Sequence, residues 1–387
     1  MRVAVVGGGI AGCCAAIALG RIGADVEIFE RASAIREIGA GLSLWPNATH
    51  ALRELGLLEA CRRVSGRVGQ IRLRDPDGRE WASARIDGQA TPALCLDRPA
   101  LLSVLLAAVD RRRVHVSQGC TGISLEPDGS RRPCVHLEDG RAPAFDAVIG
   151  ADGLGSVVRY FVTGRSARPV YRGYQIWRGV ADVLPPFYAA GHITEAWGRG
   201  ERFGIMPLGD GKVCWYATRN QPETAPPPSQ AEILEHFRGW HPPIAEVIAA
   251  TPGSAIVRTP ALDRPAAWTW AKGRVVLIGD AAHPMTPNLG QGTCQALEDA
   301  LVLSRLLAGR GSIETAFRRF EKLRRARAAA IVLGARWVGG FAQSEGWAAR
   351  LARRSLPRCV LSGAIERMFH AIHDYQAGSV APAGRVL

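Results

Sequence analysis

The chain has 387 residues, 47% of them apolar and 21% charged, and a net charge of +13. That length implies two or three domains with a sizeable core, which excludes intrinsic disorder and small stapled scaffolds. Of the basic residues only Lys212, Lys272 and Lys322 are lysines, and with no interleaved aromatics the charge suits anionic small ligands rather than nucleic acid.

Val3 to Gly20 is an uncharged run behind Arg2. It has the length of a signal peptide or a short membrane helix, but its clustered glycines (7, 8, 9, 12 and 20) suit neither. Val3–Val6 reads instead as a buried strand, Gly7–Gly12 as a turn, Ala11–Leu19 as a helix, and Val26–Phe29 as a second strand ending at Glu30. This is a parallel βαβ unit. Ile71–Arg74 and Glu80–Arg85 flank the turn sequence Asp75-Pro76-Asp77-Gly78 and predict a hairpin. Asp97-Arg98-Pro99 opens a helix. Strands follow at 114–116, 122–125, 135–137 and 147–149, the last running into Gly150-Ala151-Asp152-Gly153.

Residues 166–260 change character. Alternating stretches such as Arg202–Met206 and Val213–Ala217 predict an antiparallel sheet. Arg274–Ile278 is a buried strand leading through Gly279-Asp280 and a Pro/Gly loop to a helix from about Thr293. Residues 315–375 read as helical, with Arg318, Arg319, Lys322, Arg324, Arg325 and Arg327 as a solvated basic face. The tail from Gly378 reads as frayed. The expected class is α/β: a Rossmann-like nucleotide-binding domain (1–70, 98–165 and 268–312) interrupted by an antiparallel-sheet substrate domain (71–97 and 166–267), then C-terminal helices (313–387). Nine cysteines without a CxxC pair predict neither a disulfide framework nor a metal site, and fit a reducing, cytoplasmic setting. No integral membrane segment is expected, and the chain is expected as a monomer or homodimer.

Gly7-Gly8-Gly9-Ile10-Ala11-Gly12 satisfies G-x-G-x-x-G. Gly7 permits the tight turn, Gly9 lets backbone approach a pyrophosphate, and Gly12 lets helix and strand pack closely. The helix N-terminus then offers N–H groups and positive dipole to phosphate. Glu30, at the end of the second strand, is placed to accept from ribose hydroxyls. Strand, helix, second strand and acid in register point to a dinucleotide but do not choose between NAD and FAD.

Two later segments choose. Residues 149–159, Ile-Gly-Ala-Asp-Gly-Leu-Gly-Ser-Val-Val-Arg, and residues 277–299, with Gly279-Asp280 and Gly290-Gln291-Gly292-Thr293-Cys294, join the N-terminal glycines. Together they resemble the three fingerprints of the single-component, class A FAD-dependent monooxygenases of the p-hydroxybenzoate hydroxylase-like fold. The shorter members are nearest: salicylate hydroxylase, 3-hydroxybenzoate 6-hydroxylase, FAD-dependent urate hydroxylase and zeaxanthin epoxidase. The resemblance covers the chain from Arg2 to about Arg327. It implies non-covalent FAD, NAD(P)H as co-substrate, and O2 used through a flavin C4a-hydroperoxide to hydroxylate an aromatic or related planar molecule. Epoxidation, Baeyer–Villiger insertion or simple flavin-dependent reduction are the alternatives on the same fold; a halogenase Trp-x-Trp-x-Ile-Pro signature is absent.

Residue by residue, the resemblance places Glu30 and Arg31 at the adenosine ribose and Gly41 and Ser43 along the flavin. It places Arg98 at the phosphates and Thr121 at the adenine through its backbone. Asp152 is the acid of a motif linked to FAD and NAD(P)H. Asp280 is placed on the ribityl chain, and Gly290, Gln291, Gly292, Thr293 and Cys294 against the ring. Pro287 falls beside the reactive flavin carbon. His283, in Asp280-Ala281-Ala282-His283, reads as a structural residue next to FAD, with a base as the alternative. Asn288 and Cys214 stand where the urate hydroxylase-like members carry Asp and Tyr, which argues against urate. Arg202 and Tyr216 complete the expected catalytic set with Pro287. Trp177, Arg178, Trp197, Met206, Cys214 and Trp215 are the expected substrate pocket. Along Val213–Ala217, Cys214 and Tyr216 share one face and Trp215 the other, so only one set can face a ligand.

Overall fold

The computed structural model describes residues 1–36, 41–88, 90–165, 168–182, 191–347, 351, 355 and 357–379; residues 37–40, just ahead of Gly41, and the tail from residue 380 lie outside them. The strands are β1 (Arg2–Val6), β2 (Asp25–Phe29), β3 (Gly41–Leu44), β4 (Gly66–Val68), β5 (Gln70–Arg74), β6 (Glu80–Arg85), β7 (Ala93–Asp97), β8 (Val114–His115) and β9 (Cys120–Leu125). They continue with β10 (Pro133–Leu137), β11 (Ala147–Gly150), β12 (Val170–Ala181), β13 (His192–Trp197), β14 (Glu201–Pro207), β15 (Val213–Asn220), β16 (Val257–Asp263), β17 (Ala271–Lys272) and β18 (Val275–Leu277). The helices are α1 (Ile10–Gly20), α2 (Pro46–Glu54), α3 (Leu58–Arg63), α4 (Arg98–Ala107), α5 (Val158–Thr163), α6 (Gln230–Phe237), α7 (Ile244–Ala249), α8 (Gly292–Leu307), α9 (Ile313–Ala342) and α10 (Arg358–His373).

One sheet runs β17-β18-β11-β1-β2-β8, parallel except at the β17 edge. Val3 to Val6, Ala147 to Ile149 and Val275 to Leu277 are buried. Such unbroken apolar strands form the middle of a sheet covered on both faces. Helix α1 lies between this sheet and α8. Close packing there depends on Gly12, where a Cβ would come 1.9 Å from the Gly7 carbonyl oxygen.

A second sheet runs β16-β12-β15-β14-β13-β5-β6. It is antiparallel except where β13 lies parallel to β5, so the inserted sheet is mixed rather than purely antiparallel. The exception arises because β5 and β6 come from the early part of the chain and join the edge of a meander formed some 120 residues later. One face packs on α6 and α7 through Trp177, Phe203, Trp215, Phe237 and Ile248. The other face looks toward the first sheet. A small sheet, β3-β7-β4, bridges the two, and β9 and β10 form a separate hairpin.

Helix α9 spans about 45 Å at the usual rise per residue, with 30 residues. It packs on β17 and α8 at its start and beside residues 287–289 further along. Helix α10 crosses the β6 edge, where Ser362 Oγ and Glu366 accept the backbone N–H groups of Ser83 and Arg85. These bonds cover an edge that would otherwise present unpaired donors. The expected solvated basic face of α9 needs correction. Arg324 is fully buried and Arg327 largely so, both turned inward onto Glu298 of α8.

Candidate active site

A cavity of about 1020 Å³ lies between the two large sheets, roofed by the C-terminal half of α9 and by α10. Gly9, Ile10 and Ala11 line it where α1 begins, and Gly292 and Thr293 line it where α8 begins. Neither helix start carries a capping side-chain bond. A Cβ at Gly9 or Gly292 would meet nothing within 4 Å. Two sets of first-turn N–H groups, each at the positive end of a helix dipole, therefore open into one cavity.

The Gly290 turn is built tightly. Gly290 has φ +60°, and a Cβ there would sit 2.7 Å from Trp45 Nε1 and 2.9 Å from Ser43 Oγ. Only glycine takes this conformation in this space. Ser43, Arg98, Asp280, Pro287 and Gly41 also line the cavity, so residues far apart in sequence converge there.

Other expected cofactor residues sit differently. The Gln291 side chain turns inward, bonding Asn47 and Gln295 at 3.0 and 2.8 Å. Cys294 packs behind the turn, its thiol donating toward the Ser43 and Gly290 carbonyls. Burial pushes that thiol up to about 12. Glu30 accepts from the Gly8 and Ala32 N–H groups at 2.7 and 2.9 Å, which fixes its carboxylate beside the glycine turn. Asp152 accepts from Ser156 Oγ and from the Val157 and Val158 N–H groups, so its carboxylate is committed to the start of α5 while Ala151 and Gly153 face the cavity. Burial raises its carboxyl despite these donors. Thr121 and Arg31 are exposed and outside the lining, Thr121 on the β9–β10 hairpin.

The sheet floor settles which aromatics face the cavity. Tyr216, Arg178, Arg202, Met206 and Trp197 line it. Trp177 and Trp215 do not. They point to the opposite face, where Trp215 stacks on Phe203 and its Nε1 donates to Thr251 at 2.7 Å. The strand alternation that puts Tyr216 in necessarily puts Trp215 out. Cys214 is also corrected. It shares the Tyr216 face but lies further along the strand, where Gly41 N–H donates to its sulfur at 3.0 Å. It therefore carries no argument about urate.

Arg202 is buried and held on three sides. It donates to Glu195 at 3.1 Å, to Asn288 Oδ1 at 2.6 Å and to Gln343 Oε1 at 2.7 Å. Its charge is balanced by Glu195. Arg178 donates to Thr259 Oγ1 at 2.7 Å and has no acidic partner among the described residues. Burial lowers its pKa, as for a cation kept partly from water. The cation ready for an anionic ligand is thus Arg178, with Arg202 an internally paired neighbour. Tyr216 lies flat over Gly204, where a Cβ would be 2.2 Å from its ring. Burial, then the adjacent Glu195, hold its hydroxyl pKa well above the ordinary value, so it stays protonated.

Asn288, singled out in the sequence only as a departure from the urate hydroxylase-like members, joins Glu195, Tyr174 and Gln343, which sequence reasoning missed, in supporting Arg202. Asn288 accepts from Arg202 and Tyr174 and donates to Thr286 and Ala335. Gln343 reaches the site only because α9 is long enough to cross the molecule. The period-two pattern of His192–Trp197 carried a signal for Glu195; nothing local marked Gln343. His283 is fully buried against Asp299 at 2.7 Å, and Asp299 also accepts from Gly279 N–H, which fixes the turn carrying Asp280.

A family profile described as an FAD binding domain matches residues 1–333. The chain belongs to this family of FAD-dependent monooxygenases. It is 38% identical over 372 residues, 95% of this chain and 96% of the other, to aurachin C monooxygenase/isomerase of Stigmatella aurantiaca. It is 34% identical over 341 residues to 3-amino-4-hydroxybenzoate 2-monooxygenase of Streptomyces cremeus, covering 86% of this chain and 85% of the other. Among solved structures, Klebsiella pneumoniae HpxO complexed with FAD and uric acid superposes with TM-score 0.87 at 27% identity, covering 97% of this chain and 96% of the other.

This flavoprotein monooxygenase has the residues to hold its FAD. The uncapped start of α1 and the Arg98 guanidinium suit the pyrophosphate. The uncapped start of α8, behind the Gly290 turn, suits the electron-rich edge of a reduced ring. No helix among the described residues is long and apolar enough to cross a membrane, and no cluster of metal-ligating side chains occurs among them.

Proposed function

We propose that this chain uses NAD(P)H and O2 to hydroxylate a planar aromatic or heteroaromatic molecule that carries an anionic or acidic oxygen. The balance is one ring C–H, NAD(P)H, a proton and O2 giving the ring C–OH, NAD(P)+ and water. The observation that carries this is the position of Arg178. A half-buried guanidinium without an acidic partner among the described residues faces the cavity that the flavin-side turn also lines. FAD, when bound, supplies passage of reducing equivalents and activation of O2.

The protein's own groups orient the ring and keep it dry. Arg178 neutralises a phenolate or carboxylate, which also makes a phenol easier to ionise and its ring richer in electrons. Tyr216, held protonated, donates a hydrogen bond to an oxygen on the ring. The Glu195–Arg202–Asn288 chain fixes the floor without adding net charge. Met206, Ile176 and Leu289 exclude water from the remaining walls. Homologues at 30–38% identity include FAD-dependent urate hydroxylase and 3-amino-4-hydroxybenzoate 2-monooxygenase, and support a small ring substrate.

The test is nicotinamide oxidation by the holoenzyme against a panel of hydroxybenzoates and hydroxylated N-heterocycles, with products weighed by mass spectrometry. The reading expects ligand-accelerated oxidation and a product one oxygen heavier with its ring carbons intact. Oxygen inserted into a ring bond or across an alkene would replace it with Baeyer–Villiger or epoxidase chemistry. Accelerated oxidation with a reduced product would replace it with a reductase.

A further inference from the structure

The cavity is far longer than a ring requires. Its floor crosses the whole seven-stranded sheet, from Thr259 on β16 to Trp81 on β6. At the usual strand spacing, six steps make about 29 Å. The polar side chains occupy one part of it: Thr259, Arg178, Tyr216, Thr218 and the Arg202–Glu195 pair. Past Glu195 on β13 the floor continues for two more strands, roughly 10 Å, and its character changes. Ile71, Leu73, Trp81 and Trp197 pack with Leu361 and Ile365 of α10, and together they line this end of the cavity. The Trp81 and Trp197 rings meet edge-on with centroids 5.0 Å apart.

The mouth is apolar as well. Trp337 and Phe341 of α9 line the cavity yet are 81% and 44% exposed, and Met368 of α10, also in its lining, is 40% exposed. Large apolar side chains left exposed around a cavity mark a surface used for binding. A planar head alone would reach neither the gallery nor the rim.

We infer that the substrate carries a long apolar chain, of alkyl or isoprenoid type, laid along the gallery between β13, β5, β6 and α10 while its ring sits at Arg178 and Tyr216. This rests on the proposed hydroxylase reading for the ring end only. Leu361, Ala364 and Ile365 then determine chain length, because α10 forms the wall opposite the sheet.

The FAD-loaded protein is titrated by calorimetry with 4-hydroxybenzoate alkyl esters from methyl to nonyl. Affinity is expected to rise about fourfold per added methylene while the gallery fills. Two variants that keep their FAD content, Ile365→Glu (charge in the gallery) and Ala364→Trp (bulk without charge), are expected to flatten that dependence while the methyl ester binds as before. Affinity that does not change with chain length, or a dependence equally steep in both variants, overturns the assignment. Hydroxylation is read separately on the same esters. A chain-length dependence without hydroxylated product leaves the gallery standing and removes the hydroxylase reading; hydroxylation without it does the reverse.

Discussion

Arg178 and Arg202 show how one residue type takes two roles on strands of one sheet that are separated only by β15. Arg202 spends its donors on Glu195, Asn288 and Gln343, whereas Arg178 has Thr259 alone among its described partners. Replacing Arg178 by Met is therefore expected to raise KM for an anionic ring by about 10- to 100-fold, the worth of one charge-assisted hydrogen bond, and to leave a neutral analogue little changed. Equal losses for charged and neutral ligands would contradict this. Sequence reading identified both arginines but ranked Arg202 first, because ion pairing depends on partners distant in sequence. The glycines were more legible. Gly7 and Gly290 have φ +104° and +60°, conformations that a motif can announce. Gly290→Ala is expected to weaken FAD retention at least tenfold, since its Cβ would strike Trp45 and Ser43; a flavin-binding titration decides it. The pocket aromatics were half legible. Alternation stated that Tyr216 and Trp215 oppose each other, but not which face was wet.

At the scale of elements, α8 and α9 are locked by charges with no solvent. Arg324 donates to Asp299 at 2.8 Å and also pairs with Glu298, while Arg327 donates to Glu298 at 2.8 Å. Burial alone would raise both carboxyls, but the two arginines and His283 hold them below their ordinary values. Arg324→Ala takes from two buried carboxylates the cation they share, and about 3 kcal/mol of stability should be lost. Chemical denaturation measures it, and a loss under 1 kcal/mol would show that the charges find other partners. This cluster was invisible to sequence because Arg324 lies in a run that a solvated helix face explains equally well. The parallel β13–β5 pair was hidden for a related reason: period-two alternation specifies a strand but not its neighbour. The βαβ start, by contrast, was legible because all its parts lie within thirty residues.

At the scale of the molecule, the site is a seam closed by the last helix. His373 of α10 is buried against Phe369 and Trp45, with ring centroids 3.7 and 5.3 Å away. Burial, then Arg327, lowers its pKa from 6.5 to about 3. The unfolded chain therefore takes up this proton first as pH falls. The contribution is whole above about pH 6.5 and declines toward pH 3 by about 1.4 kcal/mol per pH unit. Between pH 7 and pH 5 the parent should lose about 2 kcal/mol more stability than His373→Gln; equal losses would place the sensitivity elsewhere. The two sheets and the long C-terminal helices were legible as separate pieces. That they enclose one continuous cavity was not, since Gln343, Trp337 and Ile365 acquire their roles only by docking.

The central claim is that oxygen from O2 enters a ring bound in this cavity. The most direct measurement supplies the holoenzyme with NAD(P)H, an aromatic ligand that accelerates nicotinamide oxidation, and isotopically heavy oxygen gas, then weighs the product. One heavy oxygen atom per product molecule, with none acquired from heavy water in the reciprocal experiment, is the predicted result. Unlabelled ligand, with all consumed oxygen recovered as hydrogen peroxide for every ligand that accelerates the oxidation, would contradict it.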